Sequence, residues 1–544
     1  MFRPVRMKRF QALIYNASLD GVLRTLGELG SLHVTEAPED IEALEREGLL
    51  KRREPSKLLS ESSNILARID RLAETFGVKE GSVEGPPSKP FEGVVDEAVK
   101  RVTALEDSFK KLSEATVADD EAAGDLRKLM EEGGKELLTM REALRIGRQL
   151  EEAKQKTATT DYCSLIEGWV PTDVVEETVR KVEEASGGYC VIDIGEPELH
   201  ERPPSVTRYS RFLKTYQMLT TSYGVASYHE INPMLFLSIT FPIIFGLMFA
   251  DAGHGLLLVL TGLAAIYAGR KVTKPGEITG YILNNGWWFV MLGMCSILGG
   301  FIYDEFFGFH GVFHPLWESI GFHGALFRVG NTWIQIGGFN PVLALENGQL
   351  MPMFKFSIFV GAIHISLGLI INLMGKLANR EFREALVEPV CWIWFYVGMV
   401  YLLFTYKFEL ITVLITLKMP DFIYITIAMI LPLILMLIGK GLTEGFMEGF
   451  SFTFEAFVSS LGNTVSYGRI MALLLSHAMM SSMFITLSEG LGTGLQAVIL
   501  IAGTFLVMAL EGLIIFVHTV RLHWVEWFSK FYKGDGVEYK PFKV

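Results

Sequence analysis

The sequence predicts a mostly α-helical protein, in which a cytoplasmic α/β lobe with an antiparallel coiled-coil arm precedes an eight-helix transmembrane domain. Two observations predict this. Charged residues and turn signals are spread through residues 1–225, whereas residues 226–544 are dominated by apolar runs. These runs are close to or above the roughly 20 residues that cross the hydrocarbon core of a bilayer. A single large soluble core is the alternative, but it would require many consecutive helices that are apolar on every side.

The composition supports a membrane protein and argues against a nucleic-acid binder. Half of the 544 residues are hydrophobic, 20% are charged, and the mean hydropathy is +0.32. The net charge of -12 lacks the basic surplus typical of nucleic-acid binding. The four cysteines are far apart and form no CxxC pair, so we interpret them as packing residues. The basic amino terminus has no apolar signal region, which favours a cytoplasmic location for the first domain.

The first domain, residues 1–225, contains two strand–helix–strand patterns separated by a helical arm. The first pattern has a strand over 6–15, a helix from Leu19 to Gly30 and a strand over 31–35, and the second covers 162–194. Between them, about 41–158, lie two charged amphipathic helices separated by a Gly/Pro/Ser-rich break at 77–93. This arrangement predicts the antiparallel coiled-coil arm.

The second domain, residues 226–544, is predicted to cross the membrane eight times. Lysine and arginine residues follow the even-numbered spans, which places both termini on the cytoplasmic side. The last two spans are longer than a bilayer requires, so we expect them to tilt. The predicted spans are 234–250, 255–269, 286–303, 354–374, 388–406, 422–439, 446–486 and 496–531.

Ionisable side chains within the seventh span are a strong functional signal. A charge at the centre of a bilayer costs at least about 2.5–3.5 kcal/mol on insertion scales, so each one needs a reason. Glu455, Arg469 and His477 all lie in this span. On one continuous helix their spacing places them on a single broad face.

The eighth span carries a matching set, Glu511, His518 and Arg521, at positions i, i+7 and i+10. Because the two spans run antiparallel, Arg521 is expected near the depth of Arg469, and Glu511 near that of His477. Carboxylates and imidazoles with shifted pKa values exchange protons, whereas arginine stays charged. This pattern suits a device in which a separate mobile carboxylate passes a fixed cation. Internal ion pairs that fasten two helices are the alternative.

A smaller polar group lies at the non-cytoplasmic ends of the first three spans. Asp251 and His254 lie at the turn between the first two spans, and Asp304 and Glu305 end the third. These side chains could widen an aqueous vestibule. For Asp251, capping the following helix is an equally good explanation.

The sequence predicts no metal site, no cofactor and no catalytic residue in this chain. His310, His314 and His323 lie in one external loop, but their irregular spacing gives little support for a metal site. The pattern G-x-x-x-x-G-K-[ST] is absent from the sequence, so we expect no ATP hydrolysis by this chain itself.

Several segments resemble subunit a of V-type ATPases, which is called subunit I in the archaeal A-type enzymes. The resemblance covers most of the chain, and its most specific parts combine intramembrane Arg, His and Glu residues with the RLHWVE and YKPF endings. It implies a stator subunit that holds a rotating proteolipid ring against two offset ion half-channels. These half-channels would couple proton or sodium translocation to ATP synthesis or hydrolysis. The segments that carry the resemblance are FPIIFGLMFADAGHGLL, GGFIYDEFFG, NTVSYGRIMALLLSHAMMS and LEGLIIFVHTVRLHWVEWFSKFYKGDGVEYKPF.

The resemblance also implies individual roles. Arg469 matches the family's essential arginine, which faces the ring carboxylate, and Arg521 matches its second arginine. Glu455 would line the cytoplasmic half-channel. The residues implied for the external half-channel are Asp251, His477 and Glu511, with His518 beside it.

The implied partners are the proteolipid c-ring, peripheral-stalk subunits, a central-stalk or ring-cap subunit and membrane lipid, with no nucleic acid. Family members usually carry a second, distal α/β lobe between the arm helices, whereas this sequence has only the short linker 77–93. The short form suggests a multi-pass protein of an archaeal or bacterial plasma membrane.

Two other functions are compatible with such a chain. A secondary ion transporter with a cytoplasmic regulatory domain predicts an internal repeat, which the sequence does not show. A non-transporting membrane scaffold predicts that neutral replacements of Arg469 and Glu511 are tolerated.

Overall fold

The structure is a computed structural model whose described part is mostly helical and forms two compact units. The N-terminal unit comprises Val5–Val206 and Val537–Val544, and the C-terminal unit comprises Met1–Pro4 and Thr207–Gly536. Within them, the described residues are 4–35, 51–53, 56–77, 91–115, 120–198, 201–207, 211–272, 276–321, 325–329, 332–337, 341, 350–406 and 421–544. Predictions that concern the first ten residues of the arm, most of the linker 77–93, and His323 lie outside these ranges.

The N-terminal unit is built round an antiparallel sheet of order β3-β4-β5-β1-β6, with β2 also paired to β5. The stretches predicted as strands at 6–15 and 31–35 form β1 and β2. The pattern over 162–194 forms β5, α5 and β6. The elements of this unit are β1 (Met7–Tyr15), α1 (Leu19–Leu29), β2 (His33–Val34), β3 (Lys51–Arg52), α2 (Lys57–Thr75), α3 (Phe91–Ala115), α4 (Asp120–Gln155), β4 (Ala158–Thr159), β5 (Cys163–Pro171), α5 (Val175–Ser186) and β6 (Cys190–Gly195).

Helix α1 packs on the sheet because its apolar residues recur at helical spacing. Leu19, Val22, Leu23 and Leu26 are all at most 2% exposed and contact the buried side chains of β1 and β5. The helix ends at Gly30, whose φ of 56° is the left-handed conformation that commonly terminates helices.

The arm region differs from a simple two-helix hairpin. The segment predicted as one helical run over 94–158 contains two helices, α3 and α4, and both pack against α2. Leu137 and Leu144 of α4 are fully buried among apolar side chains of α2 and α3. The pattern of charged residues with interleaved leucines specifies amphipathic helices, but not how many of them share a core.

The last eight residues of the chain belong to the N-terminal unit. The backbone amides of Phe542 and Val544 donate to the carbonyls of Leu32 and Gly27, at 2.8 and 3.1 Å. The Tyr539 hydroxyl donates to the carbonyl of Ser31 at 2.6 Å. The YKPF ending is therefore an integral part of the surface formed by α1 and β2.

The C-terminal unit contains most of the apolar sequence. Seven stretches of the described chain are long and apolar enough to cross a membrane, whereas the helix at the first predicted span, α7, has only 15 residues. Its elements are α6 (Arg211–Tyr223), α7 (Met234–Met248), α8 (Ala252–Gly269), α9 (Glu277–Asn284), α10 (Gly286–Tyr303), β7 (Glu305–Phe306), β8 (Phe309–His310), α11 (His314–Ile320), β9 (Ala325–Val329), β10 (Thr332–Ile336), α12 (Met351–Ala378), α13 (Phe382–Ala385), α14 (Cys391–Tyr406), α15 (Asp421–Ile425), α16 (Leu431–Glu444), α17 (Phe446–Ser466), α18 (Gly468–Ser488) and α19 (Thr493–Arg521).

Helices α8 and α10 pack closely because glycines line their interface. A Cβ atom at Gly255 would lie 2.9 Å from the carbonyl oxygen of Gly293, and one at Gly293 would lie 2.6 Å from that of Gly255. Small residues allow such close backbone approach between apolar helices. This contact fixes the start of α8, where Asp251 is the N-cap.

The seventh predicted span is not one regular helix, because α17 and α18 are separate helices that meet at Tyr467. The Tyr467 side chain is fully buried and packs against Gly361 of α12. Its hydroxyl lies 2.6 Å from Nδ1 of His364. The single helical face expected for Glu455, Arg469 and His477 is therefore interrupted, and Arg469 lies in the first turn of α18.

We predict that Gly168→Ala destabilises the sheet by about 1–3 kcal/mol, the usual cost of overpacking. A Cβ at Gly168 would lie 2.3 Å from the carbonyl oxygen of His33, so β2 would have to move away from β5. Amide hydrogen exchange of β2 in the intact protein measures this. Gly93→Ala in α3 is the control because its Cβ meets no atom within 4 Å. Equal exchange in both variants would contradict the prediction.

Candidate functional site

Arg469 is held by a carboxylate that sequence reasoning did not identify. Its Nη2 lies 3.2 Å from Oε1 of Glu526, whose side chain is 2% exposed. Glu526 lies in the π-helical segment Leu522–Trp527, which continues α19. The Arg469 side chain keeps 23% exposure, and its Nη1 makes no hydrogen bond to the described residues. The guanidinium is thus anchored on one side while retaining unused donors.

His518 and Arg521 lie in the same neighbourhood. Both occupy the last turn of α19, and the charges of Arg469 and Arg521 act on the His518 ring. Arg469 and Arg521 therefore have His518 as a common neighbour. Arg521 is exposed, whereas His518 is half-buried.

Eight residues beyond Arg469 on α18, His477 joins a buried cluster of acids and imidazoles. Its Nδ1 lies 2.7 Å from Oε2 of Glu511, and its Nε2 lies 4.0 Å from Oδ2 of Asp251. The Asp251 carboxylate also lies 2.9 Å from Nδ1 of His254. All four residues are at most 4% exposed. We call Asp251, His254, His477 and Glu511 the Asp251 cluster.

Asp251 also organises the backbone round this cluster. Its carboxylate accepts hydrogen bonds from the amides of Gly253 and His254 at the start of α8. It accepts two more from the amides of Phe307 and Gly308, between β7 and β8, at 2.9 and 2.8 Å. Asp251 therefore caps α8, as one of the two sequence-based interpretations expected, and its carboxylate also lies beside the titratable side chains of the cluster.

Glu305 of β7 is a further buried carboxyl beside the Asp251 cluster. It is 0% exposed, and neither of its carboxyl oxygens has a hydrogen-bond partner among the described residues. Burial, reinforced by the charges of Asp251 and Glu511, raises the pKa of Glu305 well above its ordinary value. Glu305 therefore keeps its proton at pH values where an exposed glutamate has lost it.

On the other side of Arg469 along the chain, Glu455 of α17 lines an open cavity of about 570 Å³. Lys530 also lines it, donating to Ser459 and lying with its Nζ 4.7 Å from the centre of the Trp392 ring. A second charged group, in which Glu388 pairs with two lysines, completes the polar lining. Those lysines are Lys376 and Lys440.

The structure therefore brings most of the predicted residues into two neighbourhoods and leaves Glu455 in a third. Arg469, His518 and Arg521 form one, while Asp251, His477 and Glu511 form another. The histidines of the external loop do not form a site in the described residues, since His314 is exposed and lies 3.8 Å from Glu318.

Sequence reasoning missed Glu526 as a functional residue, although it lies within the RLHWVE motif quoted for the resemblance. The sequence feature that could have identified Glu526 is its carboxylate within an apolar segment, five residues beyond Arg521. His364 and His523 were also missed. Their rings lie 4.8 Å apart in the buried core, and Nε2 of His523 lies 3.0 Å from the Thr240 hydroxyl.

Residues 24–436 and 439–544 match the V-type ATPase 116 kDa subunit family. The chain belongs to this family. The match confirms the resemblance drawn from the motifs, and together with the apolar helices it indicates a multi-pass membrane protein.

Individual relatives agree with this membership. The A-type ATP synthase subunit I of Methanocaldococcus jannaschii is 28% identical over 502 residues, which cover 88% of this chain and 67% of the relative. The A-type ATP synthase subunit I of Methanothermobacter thermautotrophicus is 27% identical, covering 81% of this chain and 60% of the relative. The vacuolar proton translocating ATPase 100 kDa subunit of Dictyostelium discoideum is 25% identical, covering 70% and 58%. The chain thus spans about two thirds or less of the length of these relatives.

We predict that Arg469 and Glu526 are energetically coupled. In a double-mutant cycle of Arg469→Gln and Glu526→Gln, the double variant should be destabilised less than the sum of the singles, by about 1–2 kcal/mol. The reason is that each single change leaves a buried charge without its partner. The measurement is the free energy of unfolding of the protein in detergent.

The control cycle uses Arg148 and Glu152, an i,i+4 pair on α4 whose side chains are 40% and 46% exposed. Exposed helical pairs of this kind contribute about 0.3–0.5 kcal/mol. A coupling between Arg469 and Glu526 no larger than that of the control pair would show that their proximity has no energetic weight.

Proposed function

We propose that this member of the V-type ATPase 116 kDa subunit family is the stator subunit of a rotary A/V-type ATPase membrane sector. In this role it forms two ion half-channels against a rotating proteolipid ring and couples proton or sodium translocation to ATP synthesis or hydrolysis. The observation that carries the proposal is the placement of Arg469. It is a permanent cation, partly exposed and anchored by Glu526, with a group of titratable residues on either side of it along the chain.

The Asp251 cluster supports a half-channel on one side of the arginine. Buried carboxylates and imidazoles within hydrogen-bonding range of one another can pass a proton stepwise. Glu511 and His477 are 2.7 Å apart, and His477 in turn faces Asp251. We assign these three residues to the external half-channel, with His518 beside it.

The cavity at Glu455 supports the other half-channel. It is open and lined by charged groups, so it can hold the water that a proton or sodium ion needs to approach the membrane sector. Glu455 is exposed in this cavity, where it can accept an ion from solution. We assign this cavity to the cytoplasmic side, with both termini of the chain on that side.

Arg469 separates the two half-channels. Arginine is not deprotonated in proteins, so it cannot relay a proton, and its charge repels cations that would leak from one side to the other. A ring carboxylate that has released its ion is attracted to the guanidinium. One that has taken up an ion is neutral and moves away into lipid.

Glu526 tempers this attraction. A guanidinium already paired with a carboxylate offers a passing carboxylate only the donors that remain, on the part of the Arg469 side chain that keeps 23% exposure. Arg469 can therefore stabilise the ionised ring carboxylate without holding it so tightly that rotation stops. Glu526 acts in this account as a positioning residue, since it works through Arg469.

The remaining parts of the proposed mechanism are supplied by other subunits of the complex. Moving one charge across the membrane is worth about 2.3 kcal/mol per 100 mV, so several ions must be coupled to each nucleotide converted. The nucleotide chemistry belongs to partner subunits. The proposed partners of this chain are the proteolipid c-ring, the peripheral stalk, a central-stalk or ring-cap subunit and lipid, in an archaeal or bacterial plasma membrane.

We predict that Arg469→Ala abolishes ATP-driven ion uptake into vesicles that contain the assembled complex, because the barrier between the half-channels and the partner of the ring carboxylate are both lost. The measurement compares uptake by the variant with uptake by the wild type. Copurification of the proteolipid and the other subunits checks that the complex has assembled.

Arg270→Ala is the matched control, since Arg270 is an exposed arginine that follows α8. It should retain wild-type uptake. Undiminished ATP-driven ion uptake by an assembled Arg469→Ala complex would contradict the proposed role of Arg469 between the half-channels. Failure of any proteolipid to copurify with the wild type would instead favour a transporter or a scaffold.

A further inference from the structure

The two histidines of the Asp251 cluster have unsatisfied ring nitrogens. His254 is 2% exposed and His477 is 0% exposed, and Nδ1 of each ring lies close to a carboxylate oxygen, at 2.9 Å from Asp251 and 2.7 Å from Glu511 respectively. Nε2 of each ring makes no hydrogen bond to the described residues. Buried polar atoms normally find a partner, so this cluster is suited to a bound species.

The geometry of the cluster fits a metal ion. One ligand atom from each of Asp251, His254 and His477 lies within 4.8 Å of the others, and this is the one such group among the described residues. Oδ2 of Asp251 lies 2.9 Å from Nδ1 of His254 and 4.0 Å from Nε2 of His477. Ligands at the bond lengths of tetrahedral zinc are separated by roughly 3.3–3.5 Å, a value between these two distances.

We propose that Asp251, His254 and His477 bind a divalent transition-metal ion of the Zn²⁺ class. Two imidazoles with one carboxylate form a donor set that suits Zn²⁺ and its neighbours, whereas Ca²⁺ and Mg²⁺ require oxygen ligands. The electrostatics favour a cation as well. The Asp251 carboxylate is a ligand, and the Glu511 carboxyl, 2.7 Å from His477, is a second buried acidic group beside it.

Glu511 contacts the His477 ring but is not one of the three proposed metal ligands. Its Oε2 lies 2.7 Å from Nδ1 of His477, which leaves Nε2 of the same ring directed towards Asp251. Metal-binding histidines usually contact a carboxylate through the second ring nitrogen, which orients the ring and raises its basicity. Glu511 therefore orients the His477 ligand rather than binding the metal itself.

A metal ion bound here would block the external half-channel. This consequence rests on the proposed function, because Asp251, His477 and Glu511 are the residues assigned to that path. A bound divalent ion would occupy a ring nitrogen of His477 and an oxygen of Asp251, the groups that pass the proton in the proposed path. External Zn²⁺ would therefore act as an inhibitor of ion translocation.

The test of binding is a titration of the purified full-length protein in detergent with Co²⁺, whose tetrahedral complexes absorb visible light strongly. The wild type should bind one Co²⁺ with a tetrahedral spectrum, and Zn²⁺ should displace it. His254→Gln and His477→Gln should each weaken binding at least about 10-fold, and Glu511→Gln by about 10–100-fold, as is typical of residues that orient a ligand. His314→Gln is the control, since His314 is exposed in the external loop, and it should bind as the wild type does.

Absence of a tetrahedral Co²⁺ spectrum in the wild type would overturn the proposal. So would unchanged affinity in both His254→Gln and His477→Gln, because binding would then be at surface histidines. Use of two variants guards against misfolding of either one, and assembly of each is checked by size-exclusion chromatography.

A separate experiment tests the blocking role. ATP-driven ion uptake is measured in vesicles prepared with and without Zn²⁺ in the lumen, because the external half-channel opens to the lumen when the cytoplasmic side faces the medium. Each variant is compared with its own rate without metal. The wild type and His314→Gln should be inhibited at the same Zn²⁺ concentration, whereas His254→Gln should require at least about 10-fold more. Co²⁺ binding without inhibition of uptake would leave the metal site in place and contradict the assignment of the Asp251 cluster to the ion path.

Discussion

The pairing of Arg469 with Glu526 is the interaction on which the arrangement of the last helices depends. A lone guanidinium among apolar helices would be costly, and so would a lone carboxylate whose side chain is 2% exposed. Their contact ties the first turn of α18 to the π-helical segment after α19. Tyr467, immediately before α18, adds a second constraint by packing on α12. The start of α18 is therefore held by two separate contacts, one to the segment after α19 and one to α12.

A single carboxylate, Asp251, holds several elements together beside His477, in the middle of α18. It caps α8, holds the turn between β7 and β8, and faces both His254 and His477. Structural and chemical roles are thus combined in one residue. Replacing Asp251 would remove four backbone hydrogen bonds as well as a titratable group, so its loss would be a poor test of either role. His254, His477 and Glu511 separate the roles better, because they do not hold backbone.

The charged groups of the C-terminal unit differ between the open cavity at Glu455 and the buried Asp251 cluster. In the cavity at Glu455, acidic residues and lysines line an open space together, and Glu388 pairs with Lys376 and Lys440. In the Asp251 cluster, acids outnumber permanent cations and solvent is excluded. The first environment suits the exchange of ions with solution, and the second suits their stepwise transfer or their capture by a metal.

The sequence by itself determined the strands and helices of residues 6–35 and 162–194, the apolar helices and the family. These features depend on local periodicity, on composition and on short motifs, which can be read without knowing what packs against them. Only the tertiary structure decided the partner of Arg469, the break at Tyr467, the third helix beside the arm and the meeting of His254 with His477. Each depends on contacts between segments far apart in the chain. Asp251 and His477 are separated by more than two hundred residues, and no local pattern records that they face each other.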